Sequence, residues 1–172
     1  MRDFEDYSWR DLVGDEVRYI YTPYVRERAV GRRPGLVVVH PTTPVAGRWG
    51  ASVQALLQEA RRRGIPVVHS GNPAEAKSGE PVCARPCESA FFSTDLERTL
   101  KRMDARSLIV CGAPTSGALR ATAVEGKSFG YRVAIAEETV GDESVFLHKM
   151  ALFDLAHKYA DVMSLDELVA QL

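Results

Sequence analysis

The sequence has few cysteines, no surplus of charge and no long apolar segment. Its three cysteines, Cys83, Cys87 and Cys111, form no CxxC pair, and no charged-then-apolar leader opens the chain, so we expect a reduced, cytoplasmic setting. The formal net charge of −1 argues against a general attraction to nucleic acid or anionic lipid. No apolar run approaches the roughly 20 residues that span a bilayer, so we expect no membrane insertion.

The apolar pattern predicts one α/β domain. A chain of 172 residues is long enough to bury a full hydrophobic core. Short β-branched runs without alternation are typical of strands covered on both faces, and they occur at 35–40, 65–70, 107–112, 131–136 and 160–164. Because helical patterns lie between these runs, we predict a three-layer, doubly wound parallel sheet, expected to have six strands.

Several signals predict where the helices begin. Helices are expected at 53–63, 117–129 and 144–158. Two capping boxes, in which a hydroxyl and a carboxylate each satisfy a backbone N–H, predict further helix starts at 94–97 and 164–167. Thr115 and Ser116 are expected to cap the helix that begins near residue 117.

The first part of the chain differs from the rest. Residues 1–33, here called the N-terminal arm, have no buried-strand pattern, and residues 34–172 form the predicted domain. The arm is rich in aromatic residues: Phe4, Tyr7, Trp9, Tyr19, Tyr21 and Tyr24. We interpret it as an arm that packs on this domain or on a neighbouring chain; exposed Tyr and Trp side chains are typical interface anchors, which favours association. The alternative is that the arm forms a helix that covers one edge of the sheet.

A ligand site is expected where the strands end. Open α/β sheets bind ligands outside the carboxyl ends of their strands. In this chain that rule selects His40 and Pro41, His69 and Ser70, residues 85–89 and residues 113–118.

Four segments carry a resemblance to a known family. They are RPGLVVV before residue 40, SAFFSTDLERTL at 89–100, VCGAPTSGALRATAVEGKSFGYRV at 110–133, and HKMALFDLAHKYADVMSLDEL at 148–168. Together they resemble the isochorismatase-like cysteine hydrolases, in the branch related to N-carbamoylsarcosine amidase. The resemblance implies the same six-stranded sheet, an amide or N-carbamoyl hydrolase activity, and assembly into oligomers. We expect no cofactor and no metal.

The resemblance also implies a catalytic triad, and this chain departs from it. Such hydrolases use an aspartate at the end of the first strand, a lysine before the SAF segment and a cysteine at the start of a helix, where the dipole stabilises the thiolate. These positions are His40, Arg85 and Ala118 in this chain. A methyl group cannot attack a carbonyl, and loss of a nucleophile typically lowers turnover by about a millionfold.

A fourth departure affects the oxyanion hole. The resemblance places a cis peptide at Ala113–Pro114, with backbone N–H groups there binding the developing oxyanion. Proline favours the cis form more than other residues do, but it has no N–H to donate. One missing oxyanion donor typically lowers the rate by about 10²–10³-fold.

The leading hypothesis is therefore a non-catalytic subunit in a homo- or hetero-oligomer, associated with a catalytically intact paralogue. An engineered Ala118 would explain one changed position, whereas four changed positions favour a natural loss. The alternative is an enzyme or small-ligand binder of altered chemistry, acting on a small amide or carboxylate through His40, Arg85 and Cys87.

Other side chains near the strand ends are also candidates for this site. Further pocket candidates are His69, Cys87, Phe91, Thr115 and Ser116. A zinc set of His40, His69 and Cys87 competes with a simpler hydrogen-bonded histidine pair.

Overall fold

The predicted parallel sheet is confirmed. The computed structural model describes residues 6–21, 27–73 and 76–172. Six parallel strands lie in the order β3-β2-β1-β4-β5-β6. They are β1 Pro34–Val39, β2 Val67–Ser70, β3 Val82–Cys83, β4 Ser107–Gly112, β5 Arg132–Ala136 and β6 Asp161–Met163.

Helices cover both faces of this sheet, as a doubly wound fold requires. They are α1 Asp15–Tyr21, α2 Trp49–Arg62, α3 Leu96–Arg102, α4 Arg120–Ser128, α5 Val145–Asp154 and α6 Leu165–Val169. Apolar residues of α2 and α6 join the core on one face. Apolar residues of α3, α4 and α5 join the core on the other.

The strands are buried because their side chains alternate between these two cores. In β1, Val37 and Val39 pack into one core, whereas Leu36 and Val38 pack into the other. A strand with two apolar faces needs a continuous apolar run, which is the signal that the sequence carries. None of the five apolar runs in the sequence predicted β3. This strand has only two residues, and so short an element leaves no such signal.

Of the two predicted capping boxes, one is confirmed and one is wrong. Ser164 accepts a hydrogen bond from the backbone N–H of Glu167, whose carboxylate accepts one from the Ser164 N–H at 2.7 Å. Thr94 donates its hydroxyl to the carbonyl oxygen of Ala90 at 2.6 Å and accepts from the backbone N–H of Leu96 at 3.2 Å rather than from that of Glu97, and α3 begins at Leu96. The expected helix is present, but the reciprocal box with Glu97 is not formed.

Part of the N-terminal arm belongs to the core. Tyr7 and Trp9 are buried and stacked, with ring centroids 4.3 Å apart. The Tyr7 hydroxyl donates to the Val162 carbonyl oxygen on β6, which is the last strand of the sheet. For these two aromatics the expectation of exposed anchors is wrong, and the alternative, in which the arm covers one edge of the sheet, is confirmed.

Tyr19 alone among the arm's described aromatic side chains is strongly exposed, at 84%. Phe4, Tyr24 and the side chain of Tyr21 lie outside what the structure describes. The domain boundary at residue 34 stays a prediction. Within the described ranges, no helix is both long enough and apolar enough to cross a bilayer.

Candidate functional site

The parallel register brings the predicted site residues to one edge of the sheet. Val39 pairs with Ser70 on β2 and with Gly112 on β4, and His40 follows directly after β1. Gly112 has a φ of +116°, and a Cβ there would lie 1.9 Å from the Val39 carbonyl oxygen. Only glycine allows this close approach, so the strand ends stay together.

Position 118 is a buried methyl group. Ala118 lies in a wide helical turn, Thr115–Leu119, that leads from β4 into α4, and it is 0% exposed. Its carbonyl oxygen accepts a 2.7 Å hydrogen bond from the Thr122 hydroxyl, which itself accepts one from the Ala90 N–H at 3.0 Å. The turn is thereby joined to the 89–94 segment through backbone and hydroxyl groups.

The peptide bond between Ala113 and Pro114 is cis in the structure. The Ala113 N–H donates to the Val39 carbonyl oxygen at 3.0 Å. The Pro114 carbonyl oxygen accepts from the N–H groups of Gly117 and Leu119. Pro114 itself contributes an acceptor and no donor to this loop.

Thr115 does not cap a helix, because it lies inside the helical turn. Its hydroxyl donates to the Gly141 carbonyl oxygen at 2.9 Å, so Nδ1 of His148, also 2.9 Å away, must be the donor in their shared hydrogen bond. Burial lowers the pKa of His148 and favours the neutral ring. The Thr115 hydroxyl is thus a fixed structural group rather than an activated nucleophile.

Ser116 is also not a cap, contrary to the sequence expectation. Its N–H and its hydroxyl both donate to Oδ2 of Asp142, at 2.8 Å and 2.7 Å. Burial acts to raise the pKa of Asp142, but the hydrogen bonds from Ser116 and Ser144 and the nearby His148 together outweigh it and hold the pKa below its usual range. The loop after β4 is therefore tied to the loop after β5.

The expected proximity of His40 and His69 is confirmed. Nε2 of His40 lies 2.9 Å from Nδ1 of His69, and Nε2 of His69 lies 2.9 Å from Oε2 of Glu80. Arg61 holds the same carboxylate through two bonds of 2.7 Å and 2.8 Å. Chiefly because of Arg61, the pKa of Glu80 falls to about 2, so this carboxyl is ionised.

Arg85 turns towards the backbone. Its guanidinium donates to the carbonyl oxygens of Ser70 at 3.0 Å and His40 at 2.8 Å. Burial lowers its pKa, an effect that Glu88 and Cys87 oppose. Among the residues described, no carboxylate lies within salt-bridge distance of Arg85.

The remaining predicted site residues, Cys87 and Phe91, do not join the other site residues in one pocket. Cys87 is exposed and contacts the Ser89 carbonyl oxygen at 4.0 Å, with no hydrogen bond to His40 or Arg85. Phe91 is buried and packs against Phe129 at 5.2 Å, so it is a core residue rather than a pocket residue. The part of the chain that the structure describes holds no group of three metal-ligating side chains.

One open cleft of about 500 Å³ lies elsewhere at this edge of the fold. Its lining includes Ser8 and Arg10 from the arm, Glu137 after β5, and Lys149 on α5. None of the predicted site residues lines it.

Sequence reasoning missed Glu80, Asp142 and His148. Asp142 lies in the loop beyond β5, and the strand-end rule applied to that strand would have found it. Glu80 lies in an irregular connection before a two-residue strand, and His148 lies within a helix, so neither carried a usable signal.

Sequence comparisons with known proteins identify a family. A family model for the isochorismatase domain matches residues 71–167. Maleamate amidohydrolase of Pseudomonas putida is 29% identical over 83% of this chain and 88% of its own length. N-carbamoylsarcosine amidase of an Arthrobacter species is 36% identical over 55% of this chain, although the matched region is 36% of its own length.

Solved structures show the same fold. A cysteine hydrolase from Pseudomonas syringae superposes with a TM-score of 0.78 at 19% identity, over 87% of this chain and 97% of the other. An isochorismatase from Pseudomonas putida superposes with a TM-score of 0.74 at 22% identity, over 87% and 97%. Because the family model matches more than half of the sequence, the chain belongs to the isochorismatase family.

Proposed function

We propose that this chain is a non-catalytic member of its family, which acts by associating with a catalytically intact relative. One observation carries the proposal: the side chain at position 118 is a methyl group with no exposed surface. The resemblance puts the nucleophile at this position, and a methyl group can neither attack a carbonyl nor form an acyl intermediate. The relatives named above are hydrolases of amides, so an amide or N-carbamoyl compound is the expected substrate of the partner.

The contacts around position 118 support the same proposal. The Arg85 guanidinium is bonded to backbone carbonyl oxygens, and the Thr115 and Ser116 hydroxyls are bonded to Gly141 and Asp142. A hydrogen bond that holds the fold must break before the same N–H or O–H can serve a substrate, which disfavours catalysis by these donors. Each of these groups acts here as a structural link.

Association is supported by an apolar surface on α5. Val145, Phe146, Leu147 and Met150, here called the α5 patch, are between 43% and 70% exposed. Contiguous exposed apolar side chains on a soluble protein commonly mark an interface. His148 of the same helix bonds to Thr115, so α5 itself packs against the 115–119 turn while Phe146 and Met150 face outward.

A second candidate is the altered-chemistry enzyme or ligand binder. The observation that favours it is the histidine at position 40, whose Nε2 lies 2.9 Å from Nδ1 of His69, which in turn bonds to the ionised Glu80. A Cys87 nucleophile would need a rearrangement, because its thiol bonds to neither His40 nor Arg85.

One experiment separates the candidates. The purified chain is assayed on maleamate and N-carbamoylsarcosine alone, and then mixed with any isochorismatase-family protein of the same organism that retains the aspartate, lysine and cysteine. The association is supported if this chain shows no turnover alone, changes the turnover of its partner, and co-elutes with the partner in chromatography with light scattering. Turnover by the chain alone supports the second candidate, and a chain that neither turns over substrate nor binds the partner contradicts the proposal.

A further inference from the structure

Exposed cations lie together at the edge of the sheet where the strands begin, opposite the strand ends that hold the candidate site. This group, here called the basic edge, consists of Arg32, Arg33, Lys101, Arg106, Lys127 and Arg132. Only three carboxylates pair with its members, namely Glu97, Asp104 and Asp161. The basic edge therefore has a surplus of positive charge, although the whole chain has a net charge of −1.

The strand register places three arginines of the basic edge side by side. Ser107 on β4 pairs with Arg132 on β5 and with the first residue of β1, which Arg33 precedes. Neighbouring strands lie about 4.8 Å apart, so these backbones enter the sheet close together. Arg33 and Arg106 share the carboxylate of Asp104, and their side chains are still 64% and 65% exposed. One carboxylate thus serves two guanidinium groups that face solvent.

Helix dipoles explain only part of this charge. Lys101 and Lys127 lie in the last turns of α3 and α4, where a cation offsets the negative end of the helix. Arg33, Arg106 and Arg132 lie where strands begin, and a β-sheet has only a small net dipole. These three arginines therefore have no dipole to neutralise.

An exposed aromatic ring lies beside the same cations. Phe129 follows α4 directly and is 50% exposed. Its ring packs against Phe91 with centroids 5.2 Å apart, and Phe91 contacts Tyr131 at 6.3 Å. Burial raises the pKa of Tyr131, and Lys101 and Arg106 lie close enough to oppose that rise. The aromatic cluster that carries Phe129 is therefore bordered by the basic edge.

We propose that the basic edge binds single-stranded nucleic acid, with its cations on the phosphates and the Phe129 ring stacked on a base. Surfaces that bind single strands combine cations along the backbone with aromatic rings for the bases. An acidic polypeptide would use the cations but would leave the ring without a stacking partner. Among the described residues, no carboxylate pairs with Arg32 or Lys127, so a phosphate contact there displaces no ion pair.

The binding is measured on the full chain by fluorescence anisotropy of a labelled oligothymidylate of about 12 nucleotides. No substrate or partner is present, so the inference is independent of the proposed function. At about 50 mM NaCl we expect a Kd of about 10 µM. The logarithm of the association constant should fall linearly with the logarithm of the salt concentration, with a slope of about −3 if about four phosphates are neutralised. An unchanged anisotropy at low salt would overturn the proposal.

Two variants test the cations. Arg32→Ala and Lys127→Ala each remove one charge without breaking an ion pair. Each should weaken binding about fivefold at low salt and make the slope shallower by about 0.7. Arg48→Ala is the matched control, because Arg48 is exposed at the start of α2, on the opposite edge of the sheet, and it should leave the affinity unchanged. Equal losses in all three variants would contradict binding at the basic edge.

Phe129→Ala distinguishes nucleic acid from acidic protein. It should weaken oligothymidylate binding about tenfold, because one base loses its stacking partner, and leave the binding of polyglutamate of similar length unchanged. Phe146→Ala, which removes an exposed ring of the α5 patch, should affect neither ligand. If polyglutamate binds as tightly as the oligonucleotide and Phe129→Ala weakens neither, the basic edge recognises acidic protein and the proposal is wrong. If F129A does not fold, as judged by circular dichroism, the cation variants and the comparison of the two ligands still decide.

Discussion

The Arg85 guanidinium donates a 2.8 Å hydrogen bond to the backbone carbonyl oxygen of His40, so two of the positions for which the resemblance implies a catalytic residue contact each other directly. A second bond, to the Ser70 carbonyl oxygen, makes the same side chain a clamp across the ends of β1 and β2. The cation at position 85 thus joins two strands, which is a structural role.

This clamp predicts that Arg85→Ala destabilises the fold. Hydrogen bonds from a charged donor contribute about 1.5–3 kcal/mol each, and partial exposure of Arg85 reduces this, so we expect a loss of about 2 kcal/mol. Urea unfolding monitored by circular dichroism measures it. Arg98→Ala, which removes an exposed arginine with a 3.4 Å ion pair to Asp95, should leave the midpoint nearly unchanged. Equal midpoints for both variants would show that the clamp contributes nothing.

Restoring a thiol should not restore catalysis. Ala118→Cys adds a sulfur at a fully buried position, where overpacking costs about 1–3 kcal/mol, and His40, Arg85 and Pro114 remain unsuited to activating it. We expect no hydrolysis of maleamate or N-carbamoylsarcosine and slow labelling of the new thiol by iodoacetamide. Ala118→Ser controls for size. Turnover by the cysteine variant alone would mean that only one change separates this site from an active one.

The fold was predictable in large part, because continuous apolar runs such as 35–40 specify buried parallel strands. The site was predictable only where a residue ends a strand, as His40 does. The sequence did not predict Glu80 as a site residue, because its contacts depend on a loop that brings it back to His69 and Arg61. For Tyr7 and Trp9 the sequence left two interpretations open, because aromatic composition does not distinguish an interface from a covered sheet edge.

The α5 patch should carry the association. The double variant Phe146→Ser, Met150→Ser removes exposed apolar surface, so it should lower the mass seen by light-scattering chromatography with the intact relative while changing the melting temperature little. Val82→Ser, at an exposed apolar residue on β3, is the matched control. An unchanged complex in the double variant would place the interface elsewhere.

Glu80 should make the protein acid-sensitive. Its pKa is about 2 in the fold against an ordinary value of 4.5, so it stabilises the fold above about pH 4.5 and loses that effect as the pH falls towards 2. We expect this to amount to roughly 2 kcal/mol between pH 5.5 and pH 3. Urea unfolding at both pH values measures it in the wild type and in Glu80→Gln. If the variant lost as much stability as the wild type, the acid sensitivity would have another source.

We propose that this chain does not catalyse its family's reaction. Steady-state turnover of the purified chain on maleamate and N-carbamoylsarcosine, with an intact relative assayed in parallel, measures this directly. We expect product formation no faster than in the protein-free blank. Turnover that scales with the concentration of this chain, and that disappears in His40→Ala, would contradict it.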